Sequence, residues 1–296
     1  MKSKTTPVYN LRNFIDHSEE NDFYCNNLST HLKKYSSLKL PHKQNFFLSI
    51  LFTQGKGIHQ IDFSTHIVKR GCISMVAPGQ VHQLKFSKDI EGIIFLHTSE
   101  FYDLNFTFKK ARNFPFFCSI YNTSFIHLHA NEIDHFIGLY QTIHTEHKQN
   151  TLMSRSKICS LIDIIYTDTT RLFIPGKVSP LISDPYLMKF IKFEELVNAN
   201  FKNIKSPNAY AELLHISERH LNRICKTTVN KTVGDVIHER VILEAKRMLA
   251  KSRNTINEVA QELGYDDTTY FSRLFKKEAS MTASEFIKHI KKRHLE

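Results

Sequence analysis

Two stretches in the last third of the chain read as copies of one unit, and this repeat restricts the fold more than any other feature. They are Ala209–Lys226 (AYAELLHISERHLNRICK) and Ile256–Lys277 (INEVAQELGYDDTTYFSRLFKK). Each holds a short helix ending in Leu, a three- or four-residue turn, and a second helix with a cationic face, the helix-turn-helix pattern. In the second copy Ile256, Val259, Ala260 and Leu263 line one helix face. Gly264 follows where a left-handed residue ends a helix at little cost, and Asp266 or Asp267 can cap the next helix. Phe271, Leu274 and Phe275 then point inward at i, i+3, i+4. In the first copy Ala211, Leu214 and Ile216 take the inner positions, Ser217 caps, and Leu221 and Ile224 face inward.

The outward residues are the candidate interface: Arg219, His220, Asn222, Arg223 and Lys226 in the first copy, and Asp267, Thr268, Thr269, Ser272, Arg273, Lys276 and Lys277 in the second. Arg pairs with guanine and Asn with adenine in a major groove, so Arg273, Arg223 and Asn222 are the base-reading candidates. Lys276 and Lys277 suit phosphate. Asp267 suits either a cytosine or its own helix cap. The stretch from about Val233 to Leu249 is helical, with Val236, Ile237, Val241, Ala245, Met248 and Leu249 as its apolar stripe. A rigid connector near one DNA turn, ~34 Å, would set both second helices into successive grooves.

Upstream the pattern is β. Phe46–Phe52 is a short apolar run suited to a buried strand, Ile58–Phe63 and Val81–Phe86 alternate, and Cys72–Ala77 stops at Pro78-Gly79. Gly92–Leu96 is the last apolar run. Short strands between Gly turns predict a sandwich or small barrel. From about Asn131 the period becomes helical: Ile133, Phe136, Ile137, Tyr140 and Ile143, then Ile158, Leu161, Ile162, Ile165 and Tyr166. These two helices pack either on their own barrel or on a second subunit. Ile174–Pro180, with two Pro and a Gly, is the linker candidate.

At 296 residues the chain accommodates about two domains. Its 40 Lys and Arg exceed 29 Asp and Glu, giving +11 and favouring a polyanionic partner. Residues from Tyr186 onward carry 20 basic and 14 acidic side chains, so +6 of that surplus sits there. No run approaches the roughly 20 apolar residues of a spanning helix, and Met1–Phe14 has no apolar core of a signal peptide. A membrane or secreted form is therefore not expected. The five cysteines, Cys25, Cys72, Cys118, Cys159 and Cys225, are scattered, which argues against disulfides, a thiolate zinc site or an alkyl-acceptor cysteine and suits a reducing cytoplasm. His42, His59, His66, His82 and His97 stand singly. His127-Leu-His129 has metal-ligand spacing but no matching Glu motif. Neither a metal centre, a cofactor nor an enzyme is expected. His82, beside Pro78-Gly79, reads mainly as a turn-flanking residue and otherwise as an effector contact.

The segment from about Phe190 to His289 resembles the DNA-binding domain of the AraC/XylS family of bacterial transcription regulators. Ile256–Lys277 follows the family signature, and RHLNRICK (Arg219–Lys226) and ERVILEAKRMLAKS (Glu239–Ser252) match its first recognition helix and connecting helix. The chain departs from the family at Ser280, Ala283 and Ile287, where Gly, Pro and Arg are usual, and at Asn230, often Gly; the aromatic Phe286 is kept. This leaves the start of the last helix without its usual residues. Pro41-His42, Gly55–Asp62 and Ala77–Leu84 more weakly resemble the family's cupin-like arm.

The resemblance implies an α+β multidomain protein. Residues 1–175 form a cupin-like β-barrel with two helices, 176–189 a linker, and 190–289 an all-α domain with helix-turn-helix units at about 208–227 and 256–278. It implies double-stranded DNA as partner, a homodimer, RNA polymerase contact, activation of transcription, and a small-molecule effector near His42, His59 and His82. The alternative is a ligand-independent regulator whose first half is an interaction platform.

Overall fold

The computed structural model describes residues 7–15, 22–106, 109–117, 124–173, 185–251 and 255–293. The linker candidate Ile174–Pro180 and Cys118 lie outside the described residues. The chain separates into two compact units, Thr6–Lys177 and Val178–Glu296.

The N-terminal unit contains β1 (Val8–Tyr9), β2 (Phe23–Asn27), α1 (Leu28–Lys34), β3 (His42–Gln44), β4 (Phe47–Gln54), β5 (Gly57–Ile61), β6 (Ser64–Val68), β7 (Cys72–Val76), β8 (Val81–Phe86), β9 (Glu91–His97), α2 (Ser99–Asp103), β10 (Phe125–His127), α3 (Ala130–Gln149) and α4 (Ser154–Phe173). The strands form two five-stranded sheets, ordered β1-β3-β8-β5-β6 and β10-β7-β4-β9-β2. Only β1 and β3 pair in parallel; the other described pairs are antiparallel. The expected barrel is thus a cupin-like jelly roll of two sheets, not a closed cylinder: among the described residues no strand belongs to both.

Strand β4 explains why its sequence is apolar throughout rather than alternating. Leu48, Ile50 and Phe52 enter a cluster with Leu84, Ile61 and Val76 between the sheets. Phe47 and Leu51 face the other way, into a cluster with Phe136, Tyr140, Ile143, Ile158, Ile162, Ile165 and Tyr166 of α3 and α4. A strand buried on both faces reads as a continuous hydrophobic run. The two helices therefore cover the outer face of their own sheet. Two fully buried tyrosines fasten them: the hydroxyls of Tyr140 and Ser49 lie 2.5 Å apart. Tyr166 donates its O–H to His97 Nε2 at 2.7 Å, while His97 Nδ1–H donates to the Thr98 carbonyl.

The C-terminal unit has seven helices and no strand among its described residues: α5 (Pro185–Asn200), α6 (Pro207–Leu213), α7 (Glu218–Val229), α8 (Val233–Lys251), α9 (Ile256–Glu262), α10 (Thr268–Ala279) and α11 (Ala283–Arg293). Helix α5 begins at Pro185, so the last residues of the 176–189 segment are helical rather than linker. Proline is tolerated in a first helical turn because the N–H it lacks would have no partner there. Residues 176–184 lie outside the described residues.

Candidate nucleic-acid interface

The two repeats match in backbone as well as in sequence. Helices α6 and α9 are each 7 residues long, and α7 and α10 are each 12. The buried stripe of α7 is Leu221, Ile224 and Cys225, and that of α10 is Phe271, Leu274 and Phe275, an offset of 50 residues. Under the same offset Arg223 corresponds to Arg273, Lys226 to Lys276 and Ser217 to Asp267. Both helices end on a left-handed residue, Asn230 (φ +57°) and Ser280 (φ +56°). Both turns also carry one, His215 (φ +53°) and Gly264 (φ +78°).

Each second helix, α7 and α10, is started by a side chain. Ser217 Oγ accepts the His220 N–H at 3.2 Å. Asp267 Oδ1 accepts those of Thr269 (2.8 Å) and Tyr270 (3.1 Å). These backbone donors hold the Asp267 carboxyl below its usual range, so it is ionised where it favours a helix N-terminus. Asp267, not Asp266, is the cap.

The candidate residues then divide. Arg219, Arg223, Lys226, Thr269, Arg273, Lys276 and Lys277 are exposed, and His220, Asn222, Thr268 and Ser272 are half-buried. Asn222 faces the joint to the next helix, where its Oδ1 accepts the Val233 N–H at 3.1 Å and so engages the start of α8. The His220 ring lies 5.9 Å from that of Tyr186 on α5, and the Arg223 guanidinium stands 5.7 Å over the same ring. Lys277 is paired at 3.6 Å with its neighbour Glu278.

Helix α8 buries Val236, Ile237, Val241, Ala245 and Leu249, as its stripe predicts; Met248 is half-buried. Its arginines are taken up internally. Glu244 accepts from Arg240 (3.2 Å) and Arg247 (3.1 Å), Arg240 Nε donates to Asn198 at 2.8 Å, and its guanidinium lies 3.9 Å over Phe201. At α11 the missing Gly and Pro are replaced by another solution. Ser280 takes the left-handed turn itself, and Thr282 and Glu285 form a reciprocal cap. The Thr282 N–H donates to Glu285 Oε2 at 2.8 Å, and the Glu285 N–H to Thr282 Oγ1 at 3.2 Å.

Sequence reasoning missed Tyr186, which supports Arg223, and Tyr270, which is 45% exposed on α10 and stacks on Tyr265 at 6.0 Å. Tyr270 occupies the helical position of His220 under the 50-residue offset, a signal available from the repeat alignment alone.

In the N-terminal unit the structure gathers His42, His59 and His82, which the sequence spreads over 40 residues, into one buried chain between the sheets. Gln44 Nε2 donates to the Phe46 carbonyl at 3.2 Å, which leaves Gln44 Oε1 to accept His82 Nε2–H at 2.9 Å. His82 Nδ1 then accepts His59 Nε2–H at 3.1 Å, and His59 Nδ1 accepts the Ser74 hydroxyl at 2.8 Å. The His42 ring lies 4.1 Å from that of His82, and His42 Nδ1–H donates to the Leu40 carbonyl at 2.8 Å. All five side chains are at most 2% exposed. Burial pushes His59 down to about 3 and His82 well below its ordinary value, and lowers His42, so the rings are neutral. His82 is therefore a core residue inside β8, not the turn-flanking residue its sequence position suggested. The described residues contain no group of three or more potential ligands able to hold a metal.

Comparison with known proteins matches residues 210–289 to a helix-turn-helix domain and residues 37–95 to the AraC-like ligand binding domain. The Xylose operon regulatory protein of Haemophilus influenzae is 40% identical over 25% of this chain and 19% of its own length. The transcriptional activator RhaR of Enterobacter sp. is 20% identical over 81% of this chain and 84% of its own. A crystal structure of unsaturated fatty acid bound ToxT from Vibrio cholerae aligns at TM-score 0.40 and 12% identity, over 92% of this chain and 97% of that one. Tandem helix-turn-helix units behind an AraC-like ligand binding domain place this chain in the AraC/XylS family of transcription regulators.

Proposed function

We propose that α7 and α10 enter successive major grooves of one DNA duplex, with Arg223 and Arg273 as base readers. Lys226, Lys276 and Lys277 take phosphates, and Arg219, Thr269, Tyr270 and Ser272 sit beside them. The observation that carries this is the equivalence of the two exposed arginines: both project from the same turn, past the same buried stripe, under one offset of 50 residues. Asn222, engaged with α8, supports the first unit. His220, Thr268 and Asp267 shape the helix starts. Affinity falls steeply with salt, because each neutralised phosphate releases counterions.

Replacing Arg273 by Ala is expected to cost about 1–3 kcal/mol and to relax selectivity at one base pair, with Arg223→Ala doing the same at another. Footprinting on sites selected from random DNA checks this. Full affinity and unchanged selectivity in both variants would remove the arginines from the reading role.

The regulator works by binding rather than catalysis. It acts as a cytoplasmic homodimer that activates transcription through contact with RNA polymerase, with a small-molecule effector received by the jelly roll. The His42–His59–His82 cluster serves that domain as fixed internal structure, its hydrogen bonds being spent within the chain. A metabolite panel screened by thermal shift tests effector control: reproducible stabilisation supports it. No stabilisation favours control by protein contacts.

A further inference from the structure

We propose that Lys205 is a positioning residue that sets the second reading unit against the first, through a tie independent of α8. It lies in the strap of residues 201–206 that joins α5 to α6 and so leads directly into the first unit. Its ammonium donates to the carbonyl oxygens of Phe201, Lys202 (2.8 Å) and Leu263 (2.7 Å). The first two carbonyls lie just past the end of α5, and the third closes α9. A single cation thus joins the negative end of α5, the helix that leads into the first unit, to that of α9 in the second.

The surroundings are built for the same contact. The Tyr265 ring lies 4.9 Å beneath the ammonium. Lys202 pairs with Glu262 at 3.1 Å. Gly264 has no side chain, and a Cβ there would sit 2.1 Å from the Lys202 carbonyl oxygen. The turn of the second unit is therefore seated on the strap, with Lys205 as its pin. Both units also lean on α8, and among the described residues the strap connects the entrance of one to the turn of the other.

The proposal rests on both helices reading one duplex, and the experiment separates the two ideas. Full-length wild-type protein is used to select sites from random DNA. Affinity is then measured for the selected site and for the same site with one or two base pairs inserted between its halves. Wild type is expected to yield two half-sites and to lose tenfold or more, about 1.4 kcal/mol, on insertion.

Lys205→Met keeps the apolar stem over Tyr265 and removes all three donors. It is expected to keep both half-site sequences, bind the unaltered site about tenfold more weakly, and discriminate between the spacings less than about threefold. A merely structural loss would lower affinity for every spacing alike. A folded methionine variant with wild-type spacing selectivity overturns the pin. A wild-type selection that yields one half-site overturns the two-helix reading itself. Should the methionine variant not fold, Lys205→Gln, which reaches fewer carbonyls, is put through the same selection, and unchanged spacing selectivity there counts equally against the proposal.

Discussion

Gly264→Ala is expected to destabilise the C-terminal unit by about 3 kcal/mol or more and to abolish binding by its second half. Two costs combine. A non-glycine residue held at a left-handed φ costs about 1–2 kcal/mol. The new methyl also meets the Lys202 carbonyl oxygen at 2.1 Å, so the strap must move and the Lys205 contacts with it. Gly79 is the control. Its φ is +85°, and nothing lies within 4 Å of where its Cβ would be, so Gly79→Ala should carry the conformational cost alone. Denaturant unfolding of the two variants checks this. Equal losses would mean that the close approach at Gly264 contributes nothing.

The N-terminal unit should lose its stability in mild acid. His59 and His31 are pushed down to about 3, and His97 to about 4, each chiefly by burial. Unfolded, each titrates near 6.5. Between those values the unfolded chain binds more protons, so the stability these rings provide is complete above about pH 6.5 and is lost as pH falls. The slope is about 1.4 kcal/mol per pH unit for each ring. By pH 5 the rings together cost several kcal/mol, comparable to the 5–15 kcal/mol that holds a typical domain. The His59–His82 pair sharpens the effect, because a second proton on His82 goes to Nδ1 and sets its N–H against that of His59 Nε2. Unfolding midpoints measured at pH 7.5, 6 and 5 should fall progressively. A flat profile would show that these rings are protonated without cost.

The second helix-turn-helix was legible residue by residue, because Leu263-Gly264 and Asp267 announce a stop and a start and Phe271, Leu274 and Phe275 keep strict helical spacing. Strands β4, β7, β8 and β9 were legible from their apolar runs and Gly turns. Strand β2 was not: Phe23, Tyr24 and Cys25 are buried, but the run is short and Asn26 and Asn27 have low strand propensity. The histidine chain was hidden for a related reason. His59 and His82 lie in alternating strands, where a polar residue ordinarily marks the solvent side, and only the pairing of β8 with β3 and β5 shows them to be internal. Asn222 and Lys205 were misjudged or overlooked because what they do depends on main-chain groups 11 and 58 residues away, which no local pattern encodes.

The left-handed turn residues make the two DNA-reading modules non-interchangeable despite their shared geometry. His215 shows that the first tolerates an imidazole at its bend, whereas the second is keyed to a seat that admits only hydrogen. A chimera carrying the first module's sequence in both places would set the Cβ of that residue against the Lys202 main chain. The reverse exchange, a glycine at position 215, would meet no such obstacle, so at the bend the exchange has one permitted direction.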